Sequence, residues 1–241
     1  ASFTIDSAVL NEARHINVYT PPAYATAKAV RYPVLYMPDG GMQEDFPHVA
    51  TDVDMAIRAG KMRPMIVVGI ENTERRRDMT GPTEVDSDRK IAAHVGGSAV
   101  FRAFIADELM PEVRHRYRTN GHTAIVGESL AGLFVVETFF AQPTLFDSYI
   151  ALSPSLWWNE QALMRAADAR LKVWPGLTRT LYFAIAGDDG IDDEAQALRA
   201  ALRSNAPQGL TWFYVPRPDL RHSTIYRAAS PAVFRKLFPQ E

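Results

Sequence analysis

Six short apolar runs, at residues 33–37, 65–70, 123–126, 148–152, 180–186 and 210–215, divide most of the chain, and sequence of helical period fills the intervals between them. Runs of that length without polar alternation suit strands covered on both faces. In the longest interval Val100, Phe101, Phe104, Ile105, Leu109, Val113 and Tyr117 recur three and four apart behind Ser98, a residue type that caps helix N-termini. Similar but weaker patterns cover residues 52–63, 130–140, 160–171 and 192–204, and a last helix is expected over 223–238. This alternation predicts an α/β fold with a mainly parallel sheet, right-handed crossovers and helices on both faces. Two further extended segments, residues 2–10 and 15–20, come first. The polar Asn11-Glu12-Ala13-Arg14 between them predicts an antiparallel hairpin, ended by Pro21-Pro22, and brings the count to eight strands.

Composition narrows the function classes. Of 241 residues 47% are hydrophobic and 22% charged, enough to bury a substantial core, and no repeat or linker interrupts the chain, so one α/β domain over 1–241 is expected. A formal net charge of -2 leaves no global basic field to neutralise a phosphate backbone, which argues against nucleic acid as a partner. With no cysteine there is neither a thiolate metal site nor a thiol nucleophile. No apolar run approaches the roughly 20 residues that span a bilayer, and the chain opens on strand-like sequence. It reads as soluble, either cytoplasmic, or periplasmic or secreted after removal of a leader.

The stretch Gly127-Glu128-Ser129-Leu130-Ala131-Gly132 lies between the apolar run at 123–126 and a helical pattern. A serine on such a strand-to-helix turn is lifted above the sheet, with the N–H of the next residue, Leu130, directed at a carbonyl oxygen. A hydroxyl needs an adjacent base to attack at neutral pH, and in this architecture the base is a histidine late in the chain. His222, after the last strand and its polar loop, stands at that place. The acid follows the seventh strand, where Asp188, Asp189, Asp192 and Asp193 crowd one turn and helix start. Asp189 is the preferred member, the alternative being a Ser-His pair steadied by a backbone carbonyl or water. Gly40-Gly41, after the third strand, offers the Gly41 amide as a second oxyanion donor. Trp157 and Trp158 read either as core or as a flat wall for an aromatic acyl or alcohol group. Within Arg75-Arg76-Arg77, Arg76 is the candidate grip on an anionic or catecholate substrate, and a solvated face is the alternative. Glu128 reads as a rim charge or as the partner of a nearby arginine.

Several stretches together carry a resemblance. Ser2-Phe3-Thr4-Ile5-Asp6-Ser7, Arg14 to Pro21, Tyr32-Pro33-Val34-Leu35-Tyr36, Phe101 to Ile105 with Glu108-Leu109-Met110-Pro111, the elbow, and Ser153-Pro154-Ser155-Leu156-Trp157-Trp158 occur in order. The chain resembles the putative esterase family of α/β-hydrolases, the esterase D-like group that holds siderophore trilactone esterases and feruloyl esterases. The resemblance implies an eight-stranded α/β-hydrolase fold, Ser129 as nucleophile, His222 as base, and ester hydrolysis with no metal and no cofactor. Glu128 and Ala131 depart from the His and Gly common in the family's elbow, and the position expected for the acid falls on or near Gly190. The expected function is a serine carboxylic-ester hydrolase working through an acyl-enzyme on a small-molecule ester, of siderophore lactone or aromatic type. The alternatives are an acyltransferase using the same Ser-His site and a non-catalytic binding protein on a hydrolase scaffold.

Overall fold

A computed structural model of the protein describes residues 1–240. Its strands are β1 (Ser2–Ser7), β2 (Glu12–Tyr19), β3 (Tyr32–Met37), β4 (Ile66–Ile70), β5 (Thr119–Glu128), β6 (Ser148–Leu152), β7 (Arg179–Ala186) and β8 (Leu210–Arg217). The helices are α1 (Phe46–Arg58), α2 (Arg75–Met79), α3 (Asp86–Arg89), α4 (Ser98–Phe104), α5 (Met110–Arg116), α6 (Leu130–Ala141), α7 (Trp158–Lys172), α8 (Asp192–Asn205) and α9 (His222–Leu237). The strands form one eight-stranded sheet in the order β1-β2-β4-β3-β5-β6-β7-β8. β1 pairs antiparallel with β2, and β2 with β4, while β3–β4, β6–β7 and β7–β8 are parallel. The α/β-hydrolase fold expected from the sequence is the fold observed. The chain packs as two compact units, one of residues 1–73, 103–124 and 226–240, the other of residues 74–102 and 125–225.

In the first unit the hairpin is real but its turn is displaced. Ser7 pairs with Glu12, so Ala8 to Asn11 make the turn, with Asn11 in the left-handed region at φ 54. Asparagine tolerates that region better than most residues, because its short polar side chain can bond locally. Glu12 to Arg14, expected in the turn, therefore belong to β2, and Arg14 is fully buried. Its guanidinium lies 2.8 Å from Glu12, hydrogen-bonds Thr73, and stands 5.8 Å from the Phe104 ring centroid. A buried charge requires such partners, since an unpaired one costs several kcal/mol, on the order of 3–5. Helix α1 also starts and stops earlier than expected over 52–63. Pro47 suits its first turn, and Gly60, at φ 65, lies just past its end.

In the second unit β6, β7 and β8 run parallel, with Leu152 opposite Ala184 and Val215 opposite Ala184 on the other side. Helix α6 carries one charged residue, Glu137, and ten of its twelve residues are buried, which makes it a core helix rather than a surface one. The amphipathic stretch from Ser98, which belongs to the first unit from residue 103 on, is broken into α4, a π-helical turn at Ile105–Leu109 and α5, with Pro111 in the first turn of α5. At the start of α7, Asn159, Glu160 and Gln161 are left-handed (φ 50, 50 and 61), so the right-handed helix begins later than the expected 160–171. Asn159 is held there by its N–H, which donates to Asp88 Oδ2 at 2.8 Å.

Candidate active site

The second unit alone carries the serine, the histidine and the acid. β5 is buried over Ala124 to Gly127, and its end turns sharply at Ser129, which has φ 58 and ψ -120. A left-handed serine is strained by about 1–3 kcal/mol, and the surroundings hold it. Its N–H donates to Leu152 O at 3.0 Å, and its carbonyl accepts from Leu133 N at 2.9 Å and Ser155 N at 3.0 Å. Gly127 is required at this turn, because a Cβ there would lie 2.6 Å from the backbone carbonyl of Ala131. With no side chain at Gly127, the Ala131 methyl that departs from the family elbow is accommodated, fully buried.

Ser129 Oγ lies 3.1 Å from His222 Nε2, and His222 Nδ1 lies 2.7 Å from Asp189 Oδ1. These are the distances of a nucleophile held by its base and a base held by its acid. The acid turn and the base loop meet at Gly187. Its N–H donates to Leu220 O at 2.9 Å, and a Cβ there would come within 2.7 Å of Pro218 O. That approach separates the roles of two aspartates that the sequence left crowded together. Asp188 Oδ1 accepts the backbone N–H of His222 at 2.6 Å at the start of α9, while Asp189 reaches the ring. Asp189 also accepts the Ala186 N–H at 2.8 Å, and its side chain is 2% exposed.

The titration of the pair follows from these contacts. Burial works to raise the Asp189 pKa, but hydrogen bonds from His222, Ser153 and the Ala186 N–H outweigh it, and the carboxyl is held below its ordinary value. For His222 the hydrogen bond to Asp189 raises the pKa. Burial opposes it, and the charges of Glu128, Asp189 and Asp188 add to the rise.

Three residues gained their place only in the structure. Ser153, buried and left-handed at φ 44, hydrogen-bonds Asp189 and accepts the Ala186 N–H at 3.2 Å. Ser155 Oγ lies 3.5 Å from Ser129 Oγ. Glu128 Oε1 lies 3.1 Å from His222 Nε2, a partner that neither reading of it as a rim charge nor as an arginine's mate provided. Each was visible as a residue, but none had a signal in sequence spacing.

The remaining candidates are placed as follows. Trp158 is 4% exposed and its Nε1–H donates to Gly81 O at 2.9 Å, which makes it core; its neighbour Trp157 is 40% exposed. The arginine run splits: Arg77 pairs with Asp78 at 2.7 Å and Glu74 at 3.2 Å, while Arg76 is exposed on α2. Gly41 belongs to the other unit, and there its N–H already donates to Glu44 Oε2 at 2.6 Å. Among the described residues no helix is long and apolar enough to cross a membrane.

The Putative esterase family profile matches residues 7–188. The chain belongs to that family. It is 30% identical over 179 residues to the ferri-bacillibactin esterase BesA of Bacillus subtilis, covering 66% of this chain and 60% of that one. It is 34% identical to the siderophore enterobactin esterase of Emericella nidulans over 42% of this chain and 37% of the other. The matches thus span less than two thirds of these relatives' own length. Among solved structures, an IroE-like serine hydrolase from Shewanella oneidensis superposes with a TM-score of 0.90 at 28% identity, covering 99% of this chain and 79% of that one.

Proposed function

We propose that the protein is a serine carboxylic-ester hydrolase. The observation that carries this reading is the chain of contacts from Ser129 Oγ through His222 to Asp189, at 3.1 and 2.7 Å. Ser129 Oγ attacks the ester carbonyl as its proton passes to His222 Nε2, and Asp189 steadies the imidazolium from the other side. The Leu130 N–H, first amide of α6 and without an intrahelical acceptor, donates to the oxyanion. The alcohol departs with the proton from His222 and leaves an acyl-Ser129. Water, deprotonated by His222, then attacks that acyl group, and the acid is released as the hydroxyl of Ser129 is restored.

Family membership and the siderophore esterases among its relatives support a lactone or aromatic ester as substrate. The exposed Trp157 ring suits an aromatic group, and Arg76 an anionic one. In the test, Ser129→Ala is expected to lower hydrolysis of a short-chain aryl ester by about three orders of magnitude or more. An organophosphate is expected to add mass at Ser129 in the wild type and not in the variant. Full hydrolysis by Ser129→Ala overturns the proposal. A panel of trilactone siderophores and hydroxycinnamate esters then ranks the substrates.

A further inference from the structure

His222 Nε2 has two oxygen neighbours at one distance: Ser129 Oγ at 3.1 Å and Glu128 Oε1 at 3.1 Å. They cannot both be served in one protonation state. With Nδ1–H given to Asp189, a neutral ring has only a lone pair at Nε2, which accepts the serine hydroxyl and offers nothing to a carboxylate. A protonated ring has an N–H there, and a carboxylate is a much stronger acceptor for it than a hydroxyl. The proton that disables the base is therefore the one Glu128 can hold.

We infer that Glu128 is a positioning residue for His222: it captures the Nε2–H of the protonated ring, turns it from Ser129, and so moves the low-pH loss of activity to higher pH. This rests on the serine-esterase reading of the site. Three carboxylates act on the ring, and their contacts distinguish them. Asp189, from the turn after β7, bonds Nδ1, the nitrogen that carries a proton in both states. Asp188, from the same turn, is spent on the His222 backbone N–H. At the end of β8, just before the histidine's loop, Arg217 is tied to Asp219 at 2.7 Å. Glu128, from the end of β5, is the carboxylate at the nitrogen whose proton comes and goes. Its negative charge also favours the imidazolium that forms during attack, in agreement with the raised pKa of His222. Because the two groups share one proton, the midpoint observed belongs to the pair.

The test compares the full chain with Glu128→Gln, which keeps size and removes charge. kcat/KM for a neutral aryl ester is measured from about pH 5 to 9, each protein normalised to its own alkaline plateau. The midpoint of the acid limb is expected to fall by on the order of one pH unit, so that below it the variant retains up to about ten times the wild-type fraction of plateau activity. A loss of structure alone has no such signature, because it lowers activity at every pH. The second measurement does not depend on catalysis. The His222 ring is titrated by NMR in Ser129→Ala, with and without Glu128→Gln, and its midpoint is expected to fall by a similar amount. An unchanged ring midpoint overturns the inference. If Ser129→Ala still hydrolyses esters while the ring midpoint falls, the esterase reading fails and the Glu128–His222 pairing stands.

Discussion

Two turns that follow strands use the same backbone device and deliver opposite things. After β5, Ser129 stands left-handed at φ 58, and Gly127 is shaved to hydrogen so that the Ala131 carbonyl can lie against it. After β3, Asp39 stands left-handed at φ 56, and Gly40 is so close to β4 that a Cβ would lie 2.1 Å from Ile70 N. In the first turn the strained residue presents a hydroxyl to an imidazole. In the second, the amide two residues past the strained one, that of Gly41, is held by the Glu44 carboxylate, which also accepts from Asn72 Nδ2 at 2.8 Å. Strain and a missing side chain fix where a backbone goes. Whether the polar atom so placed is available for chemistry depends on what sits next to it.

The largest way to break the first turn without touching its serine is through the acid. Asp189→Asn is expected to lower kcat by about 10²–10⁴-fold, since the amide can no longer hold His222 in the tautomer that presents a lone pair to Ser129. Steady-state hydrolysis of an aryl ester reads this, and a loss below about threefold would mean that His222 is steadied by other groups. The second turn should break in stability first. Gly40→Ala puts a methyl against the β4 backbone and is expected to cost about 3 kcal/mol, or roughly 6–12 °C in Tm. The smallest effect sharpens the contrast. Glu44→Gln exchanges a charge-assisted hydrogen bond on Gly41 for a neutral one, at a cost of about 1 kcal/mol. Thermal denaturation reads this as a fall of about 2–4 °C in Tm, and an unchanged Tm would mean that the charge of Glu44 adds nothing to the turn.

The parts legible in the sequence were those fixed by local pattern. The apolar runs gave β3, β4, β6 and β7 to within a residue or two, since strands buried on both faces leave unbroken hydrophobic stretches, and they gave β8 as closely although it is the part-exposed edge strand. β5 begins earlier than its apolar run because Thr119 to His122 extend it with polar, mostly exposed residues. The first hairpin turns earlier than its polar cluster predicts, at Ala8 to Asn11. Arg14 and Glu12 instead satisfy each other within β2, an outcome of burial and not of local preference. For Ser129 and His222, chain order and strand-turn-helix context pointed to residues that the fold brings within 3.1 Å. Asp189 was preferred among four aspartates that crowd one turn and helix start, but sequence could not show what tells it from Asp188, which is that one reaches the His222 ring and the other its backbone N–H. Glu128 was invisible as a partner of His222 for a simpler reason: nothing in spacing relates the end of β5 to the start of α9.

The clamp at Gly187 makes the acid turn and the base loop a single mechanical part. A hydrogen bond to Leu220 and contact with Pro218 join them, and Asp188 ties the first amide of α9 to the same turn. A displacement of either loop is therefore felt at Asp189 and His222 together. Trp157, 40% exposed, lies outside that clamp, so replacing it leaves the Asp189–His222 geometry in place.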